Sequence, residues 1–523
     1  MNSLTAPERM LRTNNQHFLL WTGVVSILIS LILFSYHRKK SSKLPPGPRG
    51  IPLLGCALSL AKDDAWVVFA KWHKEFGSIV YFTANGQSFV VLNTAKAAAD
   101  LLQRRSSLYS DRPFNYVART LLSGDLQIAF APYSHQWRKL RRATQEGLRP
   151  NSNTFHPVQE REALVLARTI LSKPEDWFSH MNRTAASIIM SVAYGLPPLL
   201  ENNDPVVRAV RAYTERLAKA VSPGAYLVEL LPWMRHLPSW AAKWKRDCAE
   251  HFKRDSVMFR NLYCDALSMG FGTSSLAEIL QNGSSEDLSE TERAWLCGNL
   301  FGAGAETTSG TLCWFIAAMI LYPDVQKRAQ SEIDSIVGRH RLPTFKDQAH
   351  LPYITALVRE TLRWRPALPM GLPHAVIKDD IYGDYFIPKG TICIQNVWEI
   401  NRDRTVFGED AKEYSPERYL DGNGHLSPPV LDMQGESHAT YGSGQRICQG
   451  RHLADDTLFI DIATILWSFQ IDPAISDSGQ PCLPDAYAHP KTGITLHPLP
   501  FKCSISPRSR EAQDVLMETH RGL

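Results

Sequence analysis

A chain of 523 residues with 44% hydrophobic, 21% charged and 10% aromatic residues has an ordinary globular composition, which excludes a largely disordered chain, collagen and a coiled coil. Spread over that length, a net charge of +5 is too weak to argue for a nucleic-acid partner, and none is expected. The nine cysteines are odd in number, widely spaced and without a C-x-x-C pair, so a disulfide framework and a zinc cluster are both disfavoured and a reducing compartment is expected.

A short N-terminal segment (1–17) leads into FLLWTGVVSILISLILFSY, residues 18–36, which carries no charge. At about 1.5 Å per residue this run crosses most of a bilayer core, and it is longer than a signal-peptide apolar stretch. Arg9 and Arg12 precede it, while Arg38, Lys39, Lys40 and Lys43 follow closely, so the positive-inside rule leaves the bulk of the chain in the cytosol. Residues 37–55 are basic and then proline-rich (LPPGPRGIPLLG), a stiff link from bilayer to domain. No second boundary follows, so 56–523 reads as one large unit, mainly α with small β-sheets (α+β).

Within it, helical spacing covers 66–77, 205–221, 323–338 and 351–364. SIVYFTANGQSFVVLN (78–93) reads as a hairpin turning at Asn85-Gly86, and 375–396 as further short strands. The segment 226–246 mixes Trp, Leu and basic residues; it suits either a membrane surface or an amphipathic helix packed on the domain. Ser289 and Glu292 form a capping box before an apolar run that reaches Pro323, a helix of about 32 residues and roughly 48 Å. It is apolar nearly all round and therefore buried, yet its middle holds Gly302, Gly304, Glu306, Thr307 and Thr308. Each interior glycine costs about 1 kcal/mol relative to alanine, and a buried carboxylate needs a partner or a raised pKa. Both a functional site and a flexible core helix with a satisfied glutamate are compatible with that pattern.

The second constellation is YGSGQRICQG (441–450). Cys448 sits in a glycine-rich turn that opens a helix, where N–H groups and the positive helix end are expected to lower a thiol pKa. That suits a thiolate ligand or a nucleophile.

On these residues the chain resembles the cytochrome P-450 superfamily. The F-x-x-G-x-R-x-C-x-G pattern is matched by Tyr441, Gly444, Arg446, Cys448 and Gly450, with Tyr441 where phenylalanine is usual. E-x-x-R is Glu360 to Arg363, P-E-R-F is Pro416-Glu417-Arg418-Tyr419, and W-x-x-x-R is Trp137 and Arg141. A/G-G-x-D/E-T-T/S is Ala303 to Thr308, and the resemblance runs in order from 45 to 505.

The resemblance implies haem b with Cys448 as axial ligand. Gly444 and Gly450 belong to the cofactor-binding loop, and Trp137, Arg141, His374 and Arg446 face the propionates as positive groups. Glu360, Arg363 and Arg418 are implied to form a buried charge network; E-x-x-R alone reads rather as a surface ion pair, and Arg418 in its place tips the reading to the network. Thr307 and Glu306 are implied to relay protons, with the glycine side of the helix giving dioxygen and substrate access. Tyr441 is expected to bring a hydroxyl near the sulfur. The pocket lining is expected from 110–130, 215–240, Leu300 to Ala303, 368–373 and 486–496, mainly apolar and suited to a lipophilic small molecule.

The layout resembles the microsomal type, fungal in its details. It implies a single-pass protein of the endoplasmic reticulum membrane, facing the cytosol, with an external NADPH-cytochrome P-450 reductase. RKLRR (138–142) suits an acidic reductase on its outward side. The expected reaction is monooxygenation; a family isomerase or dehydratase, or a haem-binding protein without turnover, are the alternatives.

Overall fold

The computed structural model describes residues 43–60, 64–149, 153–201, 204–269, 275–283, 287–490 and 493–518. The expected anchor at 18–36 and the first part of the link lie outside these residues. Among them, no single helix is long and apolar enough to cross a membrane.

Eleven described helices have nine residues or more: α1 (Ala65–Phe76), α2 (His135–Gly147), α3 (His156–Ser172), α4 (Trp177–Tyr194), α5 (Pro205–Val221), α6 (Lys243–Met269), α7 (Glu290–Leu321), α8 (Pro323–Ile336), α9 (Pro352–Trp364), α10 (Arg451–Ser468) and α11 (Arg510–Glu518). Their starts are written locally. Ser134 caps α2 by accepting from Trp137 N, and Asp204 caps α5 ahead of Pro205. Ser289 and Glu292 close both halves of the capping box on α7. Pro323 cannot continue α7, and α8 leaves at 105° to it.

α7 crosses the molecule and packs against α4, α5, α6, α9 and α10. Its first half, around Trp295, Leu296 and Phe301, belongs to one apolar cluster with α4, α5 and α6. Its second half, Leu312 to Ile320, belongs to another with α3, α9 and α10. Every residue from Thr308 to Ile320 is buried, and none from Gly302 to Thr307 is. The helix therefore joins two cores and leaves a gap between them.

Three small sheets flank the helices. β1 (Ile79–Ala84) and β2 (Gln87–Leu92) form the expected hairpin, with Asn85 and Gly86 both at positive φ as a type I′ turn requires. Strands β3 (His374–Ala375), β4 (Asp380–Tyr382), β5 (Tyr385–Ile387) and β6 (Ile392–Gln395) follow. The four-stranded sheet runs β1-β2-β6-β3, with β2 and β6 parallel and His374 opposite Cys393. β4 pairs with β5, while β7 (Phe469–Ile475) lies between β8 (Pro481–Cys482) and β9 (Cys503–Pro507). The architecture is mostly helical with small sheets.

The 226–246 segment is not one helix. A short turn of helix at Leu227–Leu230 is followed by a 3₁₀ turn at Pro232–His236, and α6 begins only at Lys243. The prolines impose these breaks. Leu227, Leu230, Leu231, Trp233 and Trp240 remain exposed.

Candidate functional site

The gap in α7 opens onto a cavity. Ala303, Gly304, Thr307 and Thr308 form one wall, and Cys448, Gly450 and Leu453 lie across it. Ile188 and Ile189 of α4, Leu296, Leu300, Leu368 and Leu372 make the lining mainly apolar.

The cysteine loop is held by backbone geometry. Gly442 and Gly444 adopt positive φ, and a Cβ on Gly444 would stand 1.8 Å from the Leu102 carbonyl oxygen. Gly444 does not line the cavity; it lets the loop pass against Leu102 and donates its N–H to Gln434 Oε1 at 2.7 Å. Gly450 caps α10 and does line the cavity, where a Cβ would meet open space. Cys448 is open to the cavity. Burial pushes its thiol up, and the Gly450 N–H with the Arg451 and Arg141 charges pulls down without overcoming it. The turn alone thus does not give the lowered pKa expected from sequence; a metal ion has to displace the proton.

The expected hydroxyl near the sulfur is engaged elsewhere. Tyr441 lines the cavity, and its O–H donates to Asp455 Oδ1 at 2.5 Å. Burial pushes Asp455 up to about 7, against the pull of that hydrogen bond.

Trp137, Arg141, His374 and Arg446 come together on the cavity, joined by Arg112. Arg446 lies over the Trp137 ring at 4.0 Å and donates to the carbonyls of Ser110 (2.8 Å) and Ala131 (2.7 Å). Arg112 donates to the carbonyls of Ala129, Leu372 and Pro373, and Arg141 to that of Ile447. Burial and mutual repulsion push Arg112 down to about 9 and Arg446 to about 8; burial, with Arg451 adding repulsion, pushes Arg141 to about 10. Among the described residues none of the three makes an ion pair. His374 departs from the expected positive charge. Burial, then the Arg112 and Arg446 charges, holds it neutral, and its Nδ1 donates to the Tyr109 carbonyl at 2.7 Å.

Arg112 was not marked by sequence. It is one of two basic residues, with Arg119, in a segment expected to line an apolar pocket, and that mismatch was the available signal. Ile188 and Ile189 were also missed. Conversely, among the described residues, none of 215–240 or 486–496 lines the cavity. Leu496 is instead core, its carbonyl taking the Trp314 indole N–H at 3.2 Å.

Thr307 faces the cavity and donates its hydroxyl to the Ala303 carbonyl at 2.8 Å. Glu306 does not line the cavity; it accepts a hydrogen bond from Thr495 Oγ1 at 2.7 Å. The room beside Gly304 is taken by Ile189, whose Cδ1 would be 2.6 Å from a Cβ there. That glycine lets α4 seat closely against α7.

Glu360, Arg363 and Arg418 are brought together behind the cavity. Arg363 makes a two-pronged contact with Glu360, both bonds 2.6 Å, with neither side chain exposed. Arg363 also donates to the carbonyls of Asn401, Ala411 and Glu413, and Arg418 Nε reaches Glu360 Oε1 at 3.1 Å.

The donor set can be tested against an implied group. Two buried arginines, Arg112 and Arg446, and a half-buried third, Arg141, repelling one another, ask for an anion with more than one carboxylate, and the thiol across the pocket asks for a metal. A porphyrin iron bearing two propionates answers both demands, which places the molecule among haem-thiolate proteins. Comparison with known proteins agrees. Residues 45–505 match the family model for cytochrome P-450. The chain is 46% identical to a cytochrome P-450 monooxygenase of Armillaria gallica, over 95% of this chain and 96% of that one. It is 43% identical to cytochrome P-450 monooxygenase 58 of Postia placenta, covering 96% of each, and 35% identical to cytochrome P-450 monooxygenase iboC of Amanita muscaria, covering 97% and 99%. The chain belongs to the cytochrome P-450 family, whose members bind haem b through a cysteine thiolate. By that membership it is a monooxygenase, an oxidoreductase of a family that typically depends on a reductase.

Proposed function

We propose that the protein oxidises a lipophilic small molecule, inserting one oxygen atom from dioxygen with electrons from NADPH through a separate reductase. The observation that carries this reading is the shared cavity: Cys448, Thr307 and a mainly apolar wall face one space. Haem, when bound, supplies the activation of dioxygen. Overall, substrate, dioxygen, two electrons and two protons give hydroxylated product and water.

The chain's own residues divide the remaining work. Cys448 would ligate the iron, while Arg112, Trp137, Arg141 and Arg446 would hold the propionates; His374, neutral and with its one N–H given to Tyr109, would pack beside them without donating. Thr307 passes protons at its Oγ1. Glu360, Arg363 and Arg418 keep the segment behind the cysteine rigid; breaking such a buried network costs about 3–5 kcal/mol. The apolar wall binds substrate and excludes water.

Behind the cysteine loop a second concavity is lined by Arg138, Arg141, Arg142 and Arg451. It suits an acidic reductase surface. The exposed leucines and tryptophans of 227–240, next to Arg235 and Arg246, suit a bilayer surface. With residues 18–36 as the anchor and 37–55 as the link, this fits a catalytic domain of 56–523 on the cytosolic face of the endoplasmic reticulum.

The test is incubation of reductase-containing microsomes with a panel of lipophilic compounds under labelled dioxygen. NADPH-dependent products carrying the label are expected. Products without label would favour an isomerase or dehydratase, and a haem spectrum with no product from any compound would favour a binding protein.

A further inference from the structure

The cysteine loop carries one bond that its backbone pattern does not require. The Tyr441 carbonyl accepts the Cys448 N–H at 2.9 Å, closing the loop on itself. The phenol of the same residue reaches out of the loop, 2.5 Å from Asp455 Oδ1 in the second turn of α10. Tyr441 packs against the large apolar cluster and lies 5.2 Å from the His438 ring. A phenylalanine would fill the same space and leave Asp455 without this donor.

The loop's other ties are of a different kind. Arg451 donates to the Cys448 carbonyl at 3.2 Å and to Glu436 Oε1 at 2.9 Å, with 23% of its side chain exposed. Gln449 reaches the Arg141 carbonyl at 2.8 Å, and Gln434 takes the Gly444 N–H. The bond from Tyr441 to Asp455 is set apart by what it connects. It joins the residue that holds the Cys448 N–H to the helix that follows the cysteine.

We infer that Tyr441 and Asp455 are a positioning pair, clamping the cysteine loop to α10 and so keeping the Cys448 sulfur where a metal ligand must stand. The inference rests on Cys448 being the haem ligand. The phenol serves geometry rather than chemistry at the sulfur. Because tyrosine supplies the proton, any oxygen at position 455 that accepts it preserves the clamp.

The test uses the full-length haem-loaded protein and follows the thiolate-type Soret band of its reduced carbon-monoxide complex as it converts to the thiol type. In Tyr441→Phe the ring stays and the hydroxyl goes; conversion is expected to run about tenfold faster, the equivalent of a hydrogen bond to a charged group worth about 1.4 kcal/mol. Asp455→Leu should match it, and the double variant should be no faster than either single one. Asp455→Asn retains an acceptor oxygen and should stay within about twofold of the parent. Melting temperatures of all four variants should stay near the parent's. An unchanged rate in Tyr441→Phe overturns the inference, as do multiplying effects in the double variant or melting temperatures that fall in step with the rates. If Asp455→Leu does not fold, Tyr441→Phe against Asp455→Asn decides it. Absence of the thiolate band in the parent is a separate result, which refutes the ligand assignment instead.

Discussion

Tyr419 offers the sharpest test of the packing argument. Like Tyr441, it stands where related sequences usually have phenylalanine, but its hydroxyl is buried with no hydrogen-bond partner. The residue is 4% exposed and packs with Phe407 and Met433 beside the network of Glu360, Arg363 and Arg418. Burial, then the Glu360 charge, pushes the phenol far above its ordinary value, so it stays neutral at any working pH. Leaving such a group unsatisfied costs about 1–3 kcal/mol. Tyr419→Phe keeps the ring and removes only the orphan oxygen, so it should stabilise by about that amount. At roughly 1 °C per kcal/mol for a domain of about 470 residues, the melting temperature should rise by about 1–3 °C. The assay is a thermal scan of parent and variant in the same detergent at one scan rate, repeated at pH 6 and pH 8, where the shift should be the same. A fall in melting temperature, or no change, would mean that the hydroxyl is satisfied and refute the reasoning.

Other outcomes follow from the same geometry. Arg112→Leu should weaken haem retention about tenfold or more by removing a propionate partner, while raising the melting temperature of haem-free protein by relieving repulsion among the three arginines; haem-transfer kinetics and apoprotein scans read the two effects separately. Thr307→Ala should lower kcat about a hundredfold as a lost proton donor, whereas Glu306→Gln, pointing at Thr495 and away from the cavity, should stay within about threefold; a collapse in the glutamine variant would put Glu306 back in the relay. Asp461 is fully buried, its carboxyl oxygens have no hydrogen-bond partner, and burial, followed by Glu162, holds its pKa well above the ordinary value. The unfolded chain releases that proton from about pH 4 while the folded one retains it, so this group removes stability as pH rises. Asp461→Leu should therefore match the parent near pH 4 and melt progressively higher above it; a constant gap across pH would contradict the assignment.

Local chemistry was legible where it acts within a few residues. Asn85-Gly86 specifies its turn, Ser289 and Glu292 specify the start of α7, and the loop around Cys448 announces itself by its glycines. Pairing over long separations was legible only through family resemblance, as with Arg418 reaching Glu360 across 58 positions. The helix phase of Glu306 was not read: at about 100° per residue, Ala303, Gly304, Thr307 and Thr308 share the arc that lines the cavity, and Glu306 falls outside it. Ile188 and Ile189 were hidden because their part in the site depends on how distant segments pack, which leaves no local mark, and Arg112 left only its mismatch with an apolar segment. The bonding of Tyr441 and the isolation of Tyr419 had the same origin, since one letter change led to opposite surroundings.

The uncovered stretch of α7 from Gly302 to Thr307 has a practical meaning for finding what this enzyme acts on. Two apolar clusters end at that stretch, so a molecule seated there completes an interior that the polypeptide leaves unfinished. Loading and folding are then linked by mass action: a compound present at about a hundred times its Kd should add about 2.7 kcal/mol to the stability of the folded state. Candidate substrates can on this basis be ranked by how far they raise the melting temperature, with neither reductase nor product standard in the tube.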